Sequence, residues 1–141
     1  MAETPPQISV IGLGGTISRK GSRSAVRRTI GELVRHVPAE VARLEAVDFR
    51  SVGSSALSLQ DLCDVAHLVT SRIEHGADGI VVVQGTDTME ESVFALATMV
   101  PSRVPIVVTG AMRLRDQPGS DAAANVTDAI RVGLVTIGAC L

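Results

Sequence analysis

Two short stretches of this chain concentrate groups that could do chemistry. Gly14-Gly15-Thr16 and Gly85-Thr86-Asp87-Thr88 each set hydroxyls beside glycine, at the end of an apolar run. A threonine hydroxyl is a weak nucleophile. It becomes useful when a base takes its proton and fixed donors hold the oxyanion that forms. Asp87, between two threonines, brings a carboxylate to that neighbourhood. Both stretches also have plainer readings. Gly14 and Gly15 suit a tight turn, and Thr88 opens Thr88-Met89-Glu90-Glu91, which reads as a capping box with two acids in a first helical turn. A cap needs one polar residue, however, and this loop supplies three in succession.

Other chemistries find less support. Gly12-Leu13-Gly14-Gly15-Thr16-Ile17 begins like a dinucleotide-binding turn, but Ile17 stands where the third glycine belongs, and no acid follows in register. Lys20 is followed by Gly21, which excludes a Walker loop. No Gly-x-Ser-x-Gly turn exists to carry a serine nucleophile beside His36, His67 or His75. Cys63 and Cys140 match no metal spacing, and Cys63 reads as a small residue at the edge of a core. The basic stretch from Arg19 to Arg28 reads as a solvated loop that could cover a pocket.

The elements that must position these residues alternate between strand and helix. Ile8 to Ile11 reads as a buried strand ending in the Gly12–Gly15 turn. A short helix follows over 29–36, closed by Pro38, and a weaker strand lies near Ala46 to Val52. Ser58-Leu59-Gln60-Asp61 forms a capping box, after which Leu62, Val65, Ala66, Val69 and Ile73 make one apolar helix face that stops near Gly76. Gly79-Ile80-Val81-Val82-Val83 has no polar alternation, so it reads as a strand buried on both faces, the habit of parallel sheets covered by helices. Val104 to Thr109 reads as another such strand and Ala122 to Val132 as a helix. The apolar run Gly133 to Leu141 is expected to begin one more strand. The pattern predicts an α/β fold, a three-layer sandwich around a mainly parallel, doubly wound sheet. In such sheets ligands bind beyond the carboxyl ends of the strands, where both hydroxyl-bearing turns fall.

Composition narrows the setting. With 141 residues the chain fits one domain, and at that size it can hide roughly 70% of its unfolded surface. Hydrophobic residues make up 45%, yet there are two Phe, no Tyr and no Trp, so the core must be aliphatic. A formal charge of −2, from 13 Lys+Arg against 15 Asp+Glu, and the lack of stacking rings argue against nucleic acid. No apolar run approaches the ~20 residues that a membrane helix needs. Met1-Ala2-Glu3-Thr4-Pro5-Pro6 lacks the positive charge and apolar stretch of a secretion signal, and a cytoplasmic domain is expected.

Taken together in order, the motifs resemble one family. Gly14-Gly15-Thr16-Ile17-Ser18 resembles the first signature of bacterial-type L-asparaginases, and Gln84-Gly85-Thr86-Asp87-Thr88-Met89-Glu90-Glu91-Ser92 resembles the second. Val107-Val108-Thr109-Gly110-Ala111-Met112-Arg113, then Pro118-Gly119-Ser120-Asp121 and Asn125, is similar to the segment that follows there. The resemblance implies the asparaginase N-terminal fold, which is Rossmann/flavodoxin-like. It also implies hydrolysis of the side-chain amide of L-asparagine to aspartate and ammonia, with no metal or cofactor. Thr16 then corresponds to the nucleophilic threonine and Thr86 to a second catalytic threonine. Asp87 joins the catalytic group and holds the substrate's amino group. Ser54, with Ser55, corresponds to the loop gripping the α-carboxylate, and Gly85 lies with Thr86 and Asp87 on the substrate side.

The departures from that family pattern are specific. Leu13 and Gln84 stand where threonine and histidine are usual, Ser55 replaces a longer polar side chain, and the flap tyrosine has no counterpart. The family's catalytic lysine lies beyond the last strand read here, and the sole lysine of this chain is Lys20. The resemblance therefore implies an N-terminal domain, residues 1–141, incomplete at its C-terminal end and without the C-terminal domain. Its expected partners are an amino-acid amide and either further copies of the chain or the missing domain, not nucleic acid or membrane. The competing expectation is an inactive amino-acid-binding fragment.

Overall fold

A computed structural model of the chain describes residues 4–15, 29–114 and 116–139. Four strands, β1 (Gln7–Gly14), β2 (Arg43–Val52), β3 (Gly79–Val83) and β4 (Ile106–Thr109), pair in the order β2-β1-β3-β4. All three pairings are parallel. The helices α1 (Ile30–Val34), α2 (Leu59–Glu74), α3 (Met89–Met99) and α4 (Ala122–Ala139) complete the described elements, with a 3-10 turn at Ser54–Ala56.

The side chains of β1 and β3 explain why the sheet is sandwiched. Ile8, Val10, Val81 and Val83 point into one aliphatic cluster with Ile30 and Leu33 of α1 and Val126 and Ile130 of α4. Ile11, Leu13, Ile80 and Val82 point the opposite way, into a second cluster with Val65 and Val69 of α2 and Leu96 of α3. A strand alternates its side chains between faces, so an unbroken β-branched run feeds both layers at once. The sandwich is thus α1/α4, sheet, α2/α3. The chain winds outward to β2, then back past β1 to β3 and β4, placing a topological switch point between β1 and β3.

Local signals set the helix ends. At α2, Ser58 Oγ accepts from the Asp61 amide at 3.1 Å while the Asp61 carboxylate accepts the Ser58 amide at 2.9 Å, the reciprocal box read from the sequence. Arg50 of β2 reaches both Asp61 and Asp64 at 2.9 Å, holding α2 against the sheet edge. Helix α1 is capped by Thr29, whose hydroxyl accepts from the Glu32 amide.

One expected element is different. The run from Gly133 does not begin a strand; it continues α4 as far as Ala139. Leu134 and Ile137 join the same cluster as Val126, Ala129 and Ile130, so the apolar positions recur at helical spacing beyond Val132. Thr136 returns its hydroxyl to the Val132 carbonyl four residues back, satisfying a residue that would otherwise favour a strand. Val135 and Thr136 face outward while Ile137 packs inward, and this mixture of β-branched residues imitates a two-sided strand in the sequence. No helix among the described residues is long and apolar enough to cross a membrane.

Candidate active site

At the switch point the two glycine turns meet. Gly15 has φ +83°, and a Cβ placed on it would lie 2.4 Å from the Gly85 nitrogen. Only a residue without a side chain permits this approach of one backbone to another. Gly14, with φ +103°, makes a similar approach, and a Cβ on it would lie 2.6 Å from the backbone of Val52 on β2. Thr16 lies outside the described residues, so its place relative to Thr86 is an expectation carried forward.

Ser54 ties the loop after β2 to the loop after β3. It is only 2% exposed, and its Oγ accepts the Asp87 amide at 3.0 Å. Thr88 Oγ1 donates to the Ser54 carbonyl, also at 3.0 Å. A Cβ on Gly85 would fall 2.8 Å from Ser54 Oγ, so glycine at position 85 is what lets the serine sit there. The Thr88 hydroxyl therefore does not cap α3 as expected. Thr88 occupies the cap position without a side-chain cap bond; its hydroxyl instead donates to a carbonyl of the buried Ser54 on the neighbouring loop. Asp87 and Ser55 remain exposed on the open side of these loops, and Thr86 is half-buried.

Gln84 supports the loop from below. Its fully buried amide donates from Nε2 to the Gly85 carbonyl at 3.2 Å and the Thr88 carbonyl at 3.5 Å. Its Oε1 finds no partner among the described residues. Two carbonyl acceptors require the NH2 group to face the loop, which fixes the amide's orientation.

The third wall is the turn after β4. Thr86 Oγ1 donates to Met112 Sδ at 3.5 Å, and a Cβ on Gly110 would lie 3.1 Å from Thr86 Cγ2. Asp121, just before α4, holds this turn. One carboxylate oxygen accepts the Met112 amide and the other accepts the Arg113 amide, each at 3.0 Å. Asn125, one turn along, donates from Nδ2 to the Gly110 carbonyl at 2.9 Å and to Asp121 at 3.1 Å. The Met112 amide foremost, then that of Arg113, holds the Asp121 carboxyl below its ordinary value, against a smaller opposing effect of burial.

Of the residues picked from sequence, the structure brings Ser54, Gly85, Thr86 and Asp87 into one group of strand-end loops, with Ser55 at its rim. Asp121 and Asn125 are visible in the sequence only as parts of a motif, and the Met112 contact is not visible there. The four-residue spacing of Asp121 and Asn125 at a helix start signals only their mutual hydrogen bond, not the turn that they brace.

The fold and the loops together define a doubly wound α/β domain whose hydroxyl-bearing turns gather where small ligands bind in such sheets. The chain belongs to the asparaginase family, matching the family described as Asparaginase, N-terminal over residues 7–137. It is 35% identical over 136 residues to L-asparaginase 2-3 of Saccharomyces cerevisiae, covering 90% of this chain and 38% of that protein. It is 36% identical over 130 residues to a glutamyl-tRNA(Gln) amidotransferase chain of Methanococcus maripaludis, covering 88% of this chain and 31% of that one. Among solved structures, the probable cytoplasmic L-asparaginase of Campylobacter jejuni superposes with a TM-score of 0.85 at 27% identity, over 92% of this chain and 42% of that one. The thermostable L-asparaginase of Thermococcus kodakarensis gives 0.79 at 27% identity, over 90% and 41%. The chain thus spans less than half the length of each of these relatives.

Proposed function

We propose that the loops after β1, β2 and β3 form one part of a site that hydrolyses the side-chain amide of L-asparagine to L-aspartate and ammonia. The observation that carries this reading is the buried Ser54, which locks the Thr86-Asp87-Thr88 loop against the neighbouring strand end. A buried serine holding a catalytic loop gives the fixed geometry that positional catalysis needs. Thr16 is assigned as nucleophile and Thr86 as the second catalytic threonine. The exposed Asp87 carboxylate faces the substrate's ammonium, and Ser54 and Ser55 supply hydroxyl donors to its carboxylate. Attack by the hydroxyl expels ammonia, and water then releases L-aspartate, so the atoms balance without a cofactor.

The domain boundary, a cytoplasmic setting, and completion of the site by further protein, whether other copies or a C-terminal domain, are parts of the same proposal. The family relatives are longer, and Lys20 is the sole lysine of this chain. The 141-residue chain alone is therefore expected to bind L-asparagine and L-aspartate but to release ammonia far more slowly than the ~10 per second of an ordinary enzyme, since losing one member of a cooperating set costs several powers of ten. The test is calorimetric titration with both amino acids together with ammonia release, each repeated on Thr86→Ala. Binding that Thr86→Ala weakens, with slow or no turnover, is the expected result. No heat with either amino acid, alongside binding of an adenine nucleotide, would overturn the reading.

A further inference from the structure

We infer that Asp121 is a positioning residue of the Thr86 site, acting through the turn after β4. The inference deepens the amide-hydrolysis reading and rests on it for the chemistry, but its geometry stands apart. The Thr86 side chain touches two things on this turn: its hydroxyl donates to Met112 Sδ, and its methyl faces Gly110. Neither Gly110 nor Met112 is held there by a buried side chain of its own, since glycine has none and Met112 is 75% exposed. Each is held from α4. Asn125 fixes the Gly110 carbonyl, and Asp121 accepts both amides that follow, those of Met112 and Arg113.

A single carboxylate accepting two successive amides fixes the plane of the peptide between them, and a hydrogen bond to a charged group is about twice as strong as a neutral one. Asn125 also donates to Asp121 and so fixes the carboxylate's own rotation. The chain of dependence runs from α4 through Asp121 to the peptide at Met112 and Arg113, and from there to the rotamer of the Thr86 hydroxyl. If this turn moves, the hydroxyl loses its acceptor and its methyl loses a wall, so the same residue presents its oxygen in more than one direction. Asp121 touches no reacting atom in this arrangement; it decides where one points.

The experiment compares the 141-residue chain with Asp121→Asn, which keeps the side chain's size but leaves one oxygen to serve two amides. The methyl resonances of Thr86 and Met112 are followed by NMR, with those of Val10 and Val65 as references in the two cores. Amide exchange at Met112 and Arg113 and the affinity for L-aspartate are measured on the same samples. The expected result is displaced Thr86 and Met112 methyls and exchange at both amides faster by about tenfold or more, the scale of one charged hydrogen bond. Affinity for L-aspartate falls while the reference methyls stay in place. If Asp121→Asn does not fold, Asn125→Ala is read the same way, with a smaller displacement in the same direction. A variant in which only the amides at the start of α4 respond and the Thr86 methyl is silent would overturn the inference, since Asp121 would then serve its helix alone. Should the unsubstituted chain bind no L-aspartate, the amide-hydrolysis reading fails while the Thr86 methyl still decides the positioning role.

Discussion

The two sides of the Thr86 loop are held by opposite means. Toward β2, Ser54 is buried, has no charge, and bonds directly to the Asp87 amide and, through its carbonyl, to the Thr88 hydroxyl. Toward β4, the support is a half-buried carboxylate whose bonds reach an exposed turn. On the first side the serine is buried and no partner is charged, so each bond there is costlier to lose and less sensitive to the medium. The second is held by charge near solvent, so it responds to pH and salt. The lesson is that one loop is fixed in place by its buried neighbour and adjusted by its exposed one.

The largest effect is expected where the comparison begins, at the glycine contact beneath both sides. Gly15→Ala adds a Cβ 2.4 Å from the Gly85 nitrogen at a φ that L-residues rarely adopt. Backbone cannot swing aside as a side chain tip can. The cost should be ~3 kcal/mol, read as a lower denaturant midpoint, and it should disturb both sides equally. A midpoint within ~0.5 kcal/mol of the parent would show that the strand ends are looser than the geometry implies. Next in size is Ser54→Ala, which leaves the Asp87 amide and the Thr88 hydroxyl in a tight space. The amide alone loses its acceptor, and the expected loss is ~2 kcal/mol with faster exchange at Asp87. Met112 and Arg113 amides should keep their protection, and if they do not, the two sides are one unit and the comparison fails.

What can be read in the sequence divides along the same line. The valine run of β3 announces two-sided burial because burial acts on each residue by its own chemistry, and the parallel sheet follows. The Ser58 box is legible because both partners lie within one turn. Glycines at 15 and 85 mark the site because a close backbone approach leaves a residue-type signature. The rest depends on neighbours far along the chain. Thr88 looks like a cap, but its hydroxyl donates to the carbonyl of Ser54, 34 residues earlier, which no local rule could show. Asp121 sits nine residues from the amide it holds, and its motif carries no hint of Met112. The end of α4 reads wrongly as strand because Val135, Thr136 and Ile137 have strand-forming side chains, while the Leu134 and Ile137 contacts that decide for helix belong to the tertiary packing. The family resemblance supplies roles for Thr86 and Asp87 that spacing alone does not.

The smallest effect expected is also the sharpest test of the difference between the two sides. Asp121 has its carboxyl lowered from the ordinary 3.8, first by the Met112 amide and then by that of Arg113. A carboxylate whose folded value is depressed contributes stability that is fully present above its unfolded value and is lost as pH falls through its folded value. Acidification from about pH 5 should therefore leave the Met112 and Arg113 amides protected until pH drops below 3.8, and should then free them progressively. Asp61 behaves alike at the start of α2, where the Ser58 hydroxyl and amide, then Arg50, lower it to about 2; its contribution fades between pH 3.8 and about 2. Both carboxylates reach solvent, so the loss in overall stability should be modest and screened by salt. The bond from the Asp87 amide to Ser54 Oγ contains no titrating group and should outlast both. Amide exchange measured stepwise from about pH 5 to about pH 2.5 should show Met112 and Arg113 opening while Asp87 stays closed. Simultaneous opening of all three would mean that acid unfolds the domain as a whole before it reaches the β4 side of the site.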